Sequence, residues 1–185
     1  MAQLPERLPA GAIELCRWRP EQLDDVLAAI AVSLTELHRW MPWAQRMPSA
    51  PEQLAVLEAG ELNFDTDREW NYVLYEIDTG ELAGGAGLHP RVGPGGAEIG
   101  YWVRSDRTGR GYATSAARAL TEAAFTYLHD LERVEIHMDQ ANGASAAVAR
   151  KLGYRLDREE DRMIEISGDS GRGYVWVLER SSDPQ

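Results

Sequence analysis

The stretch AEIGYWVRSDRTGRGYATSAARALTEAAFTYLH, residues 97–129, places a strand, a glycine- and arginine-rich turn and a helix in immediate succession. Ala97–Val103 has the dense apolar character of a central strand, and Arg104–Gly111 is typical of a turn. A helix is predicted over Tyr112–His129, and another strand over Arg133–Met138. Because two strands joined by such a helix usually form a right-handed crossover, the stretch predicts a parallel pair. The side chains predicted to face inward from the helix are Ala116, Leu120, Ala123, Ala124 and Tyr127.

Shorter elements continue the pattern in both directions. Asp78-Thr79-Gly80 indicates a hairpin, and the DREEDR run at 157–162 reads as a solvated strand end or loop. The order predicts an α/β fold in which antiparallel strands lead into strand–turn–helix–strand–helix. The other predicted strands are Ile13–Arg17, Trp70–Ile77, Glu81–His89, one starting at Gly153-Tyr154, and Tyr174–Leu178. The other predicted helices are one after Pro20 with Leu23, Val26, Leu27 and Ile30 on a face, Ser33–Trp40, one after Ser49 with Leu54, Leu57 and Leu62 on a face, and Ala144–Leu152.

Composition limits the classes of partner. The chain has 185 residues and a formal net charge of −11, which disfavours nucleic acid, since phosphate binding needs a basic surface. An acidic surface suits a cationic substrate, although acidity that serves solubility alone is an open alternative. One cysteine, Cys16, excludes an intrachain disulfide, and the histidine spacing predicts no metal site. With neither a signal-peptide pattern nor an apolar run of membrane-spanning length, we expect a cytoplasmic protein without membrane contact.

The turn between the central strand and its helix has the properties of an anion site. Gly109 and Gly111 let the backbone approach a ligand, and the helix then begins with unpaired amides. Arg104, Arg107 and Arg110 concentrate positive charge in an otherwise acidic chain. The turn matches neither the P-loop nor the dinucleotide fingerprint, so spacing predicts only a generic phosphate loop. A turn whose arginines are merely solvated is the alternative.

At this point the sequence resembles the GCN5-related N-acetyltransferase (GNAT) superfamily, in particular its RimJ/RimL-like ribosomal-protein alanine N-acetyltransferase branch. The resemblance runs from about Ile13 to Arg180 and implies one N-acetyltransferase domain over residues 1–185. The implied fold is a mixed, mostly antiparallel sheet with a splayed central parallel pair and flanking helices. The motifs that carry it are Trp40-Met41-Pro42-Trp43, Glu98-Ile99-Gly100-Tyr101-Trp102-Val103, Gly109-Arg110-Gly111-Tyr112-Ala113-Thr114 and NGASAAVARKLGY at 142–154.

The resemblance implies acetyl-coenzyme A (acetyl-CoA) as the acetyl donor. The amides from Thr108 through Gly109, Arg110, Gly111, Tyr112, Ala113 and Thr114 would bind its pyrophosphate. The strand end at Trp102, Val103 and Arg104 would pair with the pantetheine arm, and Asn142 would hydrogen-bond that arm from the other side. The family's motif Gln/Arg-x-x-Gly-x-Gly/Ala is met at Gly111 and Ala113, while its first position falls on Thr108.

Acetyl transfer requires a neutral amine, but an alkylamine has a pKa of about 10.4 and is mostly charged at neutral pH. A carboxylate that takes the proton is the usual solution. Glu98, on the central strand, is the predicted base, and we expect burial to raise its pKa. By resemblance the equivalent position carries the base in several members of the superfamily. A structural glutamate is the alternative.

A proton donor for the leaving thiolate is also implied. The tyrosine that many members place four residues before the second helix's glycine is absent, since Ala149 occupies that position. Ser145 fits the serine of the RimJ/RimL-like branch, with helix capping as its alternative role. Tyr154 is a further option that more simply packs in the core. Trp40, Trp43 and Tyr101 are predicted to form the acceptor pocket, although large aromatics are often core residues.

The leading hypothesis is therefore an enzyme that acetylates a primary amine by direct attack. The acceptor is either a protein N-terminus or a small molecule, and a homodimer is left open. A non-catalytic acyl-CoA-binding sensor is the alternative from another class. A nucleotide-binding protein is disfavoured, because no magnesium-ligating Ser/Thr follows the loop where it is required.

Overall fold

The protein forms one eight-stranded sheet in a computed structural model that describes residues 4–164 and 168–181. The strands lie in the order β1-β2-β3-β4-β5-β6-β8-β7, and every neighbouring pair except β5–β6 is antiparallel. The strands are β1 Arg7–Ala10, β2 Ile13–Arg17, β3 Trp70–Glu76, β4 Leu82–His89, β5 Gly96–Val103, β6 Arg133–Asp139, β7 Arg155–Asp161 and β8 Arg172–Glu179.

The central parallel pair is short and then diverges. Within the described residues, Gly96–Glu98 of β5 pair with Arg133–Glu135 of β6. Both strands continue beyond these residues, β5 to Val103 and β6 to Asp139. Beyond Glu98 the two strands separate, and β5 keeps β4 as its neighbour up to Val103. The predicted α/β fold with a splayed parallel pair is therefore confirmed.

Helices cover both faces of the sheet. They are α1 Leu23–Trp40, α2 Ala50–Asp65, α3 Tyr112–Tyr127 and α4 Gly143–Lys151. α3 and α4 pack on one face in a buried cluster that includes Leu15, Tyr72, Ile99, Leu120 and Ile136. α1 and α2 pack on the other in a smaller cluster of Val26, Ala29, Ile30, Leu57, Val73 and Leu82. The strands between them are consequently apolar on both sides, which explains their continuous hydrophobic sequences.

Local sequence sets the helix ends. Ser49 and Glu52 form a capping box at the start of α2, and Pro51 occupies the first turn, where a missing amide costs nothing. α1 ends at Trp40, immediately before Met41-Pro42, because the residue preceding a proline disfavours the helical conformation.

Several predicted elements need correction. The two helical pieces around Ser33 are one continuous helix, in which Ser33 is buried and its hydroxyl accepts a hydrogen bond from the Ser105 amide at 3.0 Å. Strand β1 was not predicted. Leu62 is 61% exposed and does not belong to the buried face of α2. The 157–162 run, for which a solvated strand end or a loop was expected, lies mostly in the exposed strand β7, which pairs with β8, so the loop alternative is excluded.

Among the helices of the described ranges, none combines the length and apolar character needed to cross a membrane.

Candidate active site

The turn before α3 is built to leave backbone amides free. Gly109 and Gly111 have φ angles of +77° and +83°, in the left-handed region that side chains with a Cβ rarely adopt. Gly111 is the N-cap of α3, and no side chain in the described part of the chain caps that helix. The first-turn amides therefore point outward with the partial positive charge of a helix N-terminus, which is a suitable site for phosphate.

The three arginines of this turn are ion-paired. Arg104 Nε and Arg107 Nη1 donate to the Asp106 carboxylate at 2.8 Å each. Arg107 also pairs with Glu81, and Arg110 Nη1 donates to Glu76 Oε1 at 2.9 Å. The predicted cluster of positive charge exists, but acidic neighbours already neutralise much of it. The solvated-arginine alternative does not describe these contacts.

Glu76, at the end of β3, holds the turn together. Its side chain is 5% exposed and accepts hydrogen bonds from the Tyr112 hydroxyl at 2.7 Å and the Thr79 hydroxyl at 2.9 Å, in addition to that from Arg110. The Tyr112 hydrogen bond, together with those of Thr79 and the arginines, lowers the pKa of the carboxyl despite burial. An ionised carboxylate thus anchors the first residue of α3.

Tyr101 and Ser145 meet on the α3/α4 face of the sheet. The Tyr101 hydroxyl lies 2.8 Å from Ser145 Oγ, and burial raises the pKa of Tyr101 to about 12. The N-cap of α4 is Asn142, whose Oδ1 accepts from the Ser145 amide at 3.1 Å. Helix capping is therefore not the role of Ser145, and its hydroxyl is held by a tyrosine beside the gap between β5 and β6.

Glu98 lies at the last paired position of the parallel strands, on the face opposite Tyr101. Arg91 Nε and Nη2 donate to its two carboxylate oxygens at 2.8 and 3.0 Å. Burial raises the pKa of Glu98, but the Arg91 hydrogen bond and the charges of Arg91, His137 and His89 outweigh it, so the net shift is downward. The prediction of a raised pKa is wrong, because Arg91 folds back onto Glu98, a contact that no local sequence pattern indicates.

A histidine that sequence reasoning missed lies beside Glu98. His89 on β4 is directly opposite Glu98 in the strand register, and its ring lies over Gly87, where a Cβ would be 2.7 Å from His89 Nε2. Burial and the charge of Arg91 lower its pKa below 6.5. The sequence signal for this position of His89 was the glycines of β4, Gly84, Gly85 and Gly87, because residues without side chains leave room above the sheet.

The predicted aromatic residues do not form one pocket. Trp43 is 50% exposed and packs edge-on against Trp102, with ring centroids 6.2 Å apart. Trp40 is half-buried at the end of α1, with the Arg39 guanidinium 4.7 Å from its ring centroid. Tyr101 is on the α3/α4 face, whereas Trp102 packs with the α1/α2 cluster. Trp43, through its contact with Trp102, is on the Glu98 face, and Trp40 ends α1, which packs on that same face.

The remaining predicted positions lie along the turn and the strand end. Val103 packs against the α3/α4 cluster, and the Arg104 amide donates to the Ala83 carbonyl at 2.8 Å. The Thr108 hydroxyl donates to the Ser105 carbonyl at 3.1 Å. Tyr154 is buried with its hydroxyl 2.6 Å from Thr121 Oγ1, as expected of a core residue. Within the described ranges, no group of His, Cys, Asp or Glu side chains is arranged to hold a metal ion.

Comparison of the sequence with known families identifies related proteins. Residues 13–155 match the model of the acetyltransferase (GNAT) domain family. Over 164 residues, 83% of the chain, the sequence is 29% identical to a mycothiol acetyltransferase of Salinispora tropica. The match covers 48% of that relative, so the chain spans about half the length of this curated protein.

Solved structures share the fold. RimL, a ribosomal L7/L12 alpha-N-protein acetyltransferase solved with coenzyme A, has a TM-score of 0.86 at 21% identity, covering 96% of this chain and 100% of that chain. Mycobacterium smegmatis RimJ, solved with a CoA-disulfide, has a TM-score of 0.82 at 25% identity, covering 97% of this chain and 87% of that chain. The microcin C7 self immunity acetyltransferase MccE, solved with acetyl-CoA and AMP, has a TM-score of 0.83 at 16% identity, covering 92% and 93%.

Proposed function

Because this chain belongs to the acetyltransferase (GNAT) domain family, as its motifs had indicated, we propose that it transfers the acetyl group of acetyl-CoA to a primary amine. The observation that carries the proposal is the gap between β5 and β6, which opens after Glu98 and leads to the uncapped start of α3. A gap lined by backbone and ending at a helix N-terminus suits a long ligand with a pyrophosphate.

The residues at this gap fit the donor. A Cβ added at Gly109 or Gly111 would meet nothing within 4 Å, so the space in front of these amides is open. We propose that the amides from Thr108 to Thr114 hold the pyrophosphate, and that Trp102, Val103, Arg104 and Asn142 hold the pantetheine arm. Acetyl-CoA supplies a thioester whose carbonyl carbon can be attacked by the amine.

Two groups of the chain are proposed to act on protons. Glu98, ionised on the α1/α2 face, favours loss of the amine proton through its negative charge. Ser145 donates to the leaving sulfur from the opposite face, and its hydrogen bond to Tyr101 sets the direction of its hydroxyl. Because the two groups lie on opposite faces of the sheet, proton removal from the amine and proton donation to the sulfur can take place at separate sites.

The acceptor that we propose first is the α-amine of a protein N-terminus. RimL is named as an alpha-N-protein acetyltransferase, and its fold resembles this one closely over the whole of its chain. An α-amine has a pKa of about 8, so it needs less help than a lysine-like amine. The half-exposed Trp43 offers an open surface for the following residues of a peptide.

A small-molecule amine is the second candidate, favoured by the match to a mycothiol acetyltransferase across 83% of this chain. The acidic surface does not separate the two, because either acceptor is a cation before transfer.

The test is calorimetric titration with acetyl-CoA, followed by thiol-release assays on N-terminal peptides and small amines. Binding plus release with a peptide would support the first acceptor, and release with small amines alone would favour the second. Binding without release from any amine would favour the non-catalytic sensor. Failure to bind acetyl-CoA would overturn the assignment of the gap and the turn.

A further inference from the structure

The His89 side chain is directed toward the place where the gap between β5 and β6 opens, next to Glu98. In the β4–β5 register it faces Glu98, and Gly87 faces Gly100. The imidazole leans over Gly87, and a Cβ at Gly100 would lie 3.8 Å from His89 Nε2. Gly100 is the second residue after the last position at which β5 pairs with β6. Nε2 is therefore above the part of β5 where the gap opens.

The other ring nitrogen is directed toward a carboxylate. His89 Nδ1 lies 3.6 Å from Glu69 Oε1 and is buried without a hydrogen-bond partner among the described residues. A small approach of Glu69 would let Nδ1–H donate to it. That tautomer leaves the lone pair on Nε2, as when a carboxylate orients a catalytic imidazole in other enzymes.

The groups around His89 have opposing effects on its pKa: some favour the neutral imidazole, and others stabilise the imidazolium that forms when it accepts a proton. Burial and Arg91 lower the pKa of His89, whereas Glu69 and Glu98 raise it. Glu98 itself has both oxygens occupied by Arg91, and its pKa is held below 4.5. His137 on β6 adds a further charge near Glu98 when protonated. An imidazole has an ordinary pKa nearer to neutrality than a carboxyl or guanidinium group has, and His89 is the imidazole whose Nε2 lies above the opening of the gap.

We propose that His89 Nε2 accepts the proton of the acceptor amine, with Glu69 orienting the ring and Glu98 stabilising the imidazolium by charge. This inference rests on the proposed acetyl transfer and names the atom that receives the proton. The C–N bond forms, the C–S bond of the thioester breaks and its electron pair leaves on sulfur. The amine proton moves to Nε2, and the imidazolium then releases it to solvent.

The pH dependence of kcat distinguishes His89 from Glu98 as the base. For one acceptor peptide, the wild-type rate should rise with pH through the pKa of His89, below 6.5. His89→Gln should lower kcat about 100-fold and remove this limb. Glu98→Gln should keep the limb but move it to lower pH, because Glu98 raises the pKa of His89. His129→Gln, at an exposed position after α3, is the matched histidine control and should leave the profile unchanged.

Chemical rescue provides a second readout. In His89→Ala, imidazole added to the buffer should restore turnover, after subtraction of the enzyme-free reaction, and substituted imidazoles should act in order of their pKa. Imidazole should not restore Glu98→Gln. Acetyl-CoA affinity measured by calorimetry should stay within about twofold of wild type in every variant, which confirms that the donor site is folded.

The outcomes separate this inference from the function on which it rests. A His89→Gln enzyme with the wild-type limb, or a Glu98→Gln enzyme that loses the limb, would overturn the role of His89 while leaving acetyl transfer intact. Wild-type protein that binds acetyl-CoA but acetylates no amine would overturn both.

Discussion

The Tyr112 hydroxyl donates to Glu76 Oε1 over 2.7 Å and so ties the first residue of α3 to the last residue of β3. The same carboxylate oxygen accepts from Arg110, one residue before the N-cap. The start of α3 is thereby fixed by a buried charge in a neighbouring strand, and the conformation of the proposed pyrophosphate turn depends on that charge.

Replacement of Glu76 by Gln should destabilise the protein by about 2 kcal/mol at pH 7, because buried donors lose a charged acceptor. Tyr112 and its neighbours lower the folded-state pKa of Glu76. Its stabilising contribution is therefore complete above the unfolded pKa, about 4.3, and is lost as pH falls through the lower folded value. Urea unfolding between pH 3 and 7 should show a weaker acid dependence in the variant than in wild type. Glu81→Gln, at a 50% exposed partner of Arg107, should change stability by under about 1 kcal/mol.

Gly111→Ala should weaken acetyl-CoA binding at least tenfold. Alanine in the left-handed conformation costs about 1–2 kcal/mol, and its methyl group would stand in front of the first-turn amides. Gly11→Ala is the matched control, since Gly11 has φ +71° and equal free space but lies in the β1–β2 turn. Both variants should lose similar stability in chemical denaturation, and only Gly111→Ala should lose affinity in calorimetry. Equal affinities would remove the turn from the donor site.

Ser145→Ala and Tyr101→Phe should each lower kcat about tenfold without changing acetyl-CoA affinity, because proton donation to the leaving sulfur is impaired. The two effects should not add in the double variant, since the hydroxyls are 2.8 Å apart and act through one hydrogen bond. Tyr154→Phe also removes a buried hydroxyl on this face but should lower only stability. Additive losses in kcat would indicate that Tyr101 acts separately from Ser145.

Trp43→Ala should raise KM for a peptide acceptor about tenfold, a loss typical of a large aromatic contact residue. Its half-exposed ring and edge-on contact with Trp102 place it beside the face that carries Glu98. Acetyl-CoA affinity should not change. Val32→Ala, equally exposed on α1, should leave KM at the wild-type value. A similar rise in both variants would mean a general loss of surface packing rather than a contact between Trp43 and the acceptor.

Hydrophobic periodicity and turn residues predicted most of the fold, because the local sequence of most strands and helices favours the structure that they adopt. The hairpin at Asp78-Thr79-Gly80 and the crossover through α3 were both correct. The predicted division of α1 at Ser33 is not observed: the helix is continuous, and Ser33 is buried with its hydroxyl accepting from the distant Ser105 amide. Strand β1 has four residues and a proline, so its pairing with β2 outweighs its weak local preference.

The candidate site was predictable only in part. The motif residues of the turn could be located from glycine and arginine spacing, whereas their carboxylate partners come from the end of β3, from the β3–β4 connection and from the turn itself. The pKa of Glu98 depends on Arg91, which follows another strand, and the position of His89 depends on strand register. Such relationships arise from packing between separate segments, and short-range sequence patterns do not contain them.

The divergence of β5 from β6 also has a consequence for the cohesion of the sheet. Among the described residues, β5 keeps only β4 as a neighbouring strand from Ile99 onward, and its other side borders the gap between β5 and β6. A pantetheine arm lying along Gly100–Val103 would take the place of the absent neighbour, so acetyl-CoA would complete the sheet as well as donate the acetyl group. The concentration of acetyl-CoA in the cell would then determine, by mass action, the fraction of the protein in which this part of β5 is hydrogen-bonded on both sides.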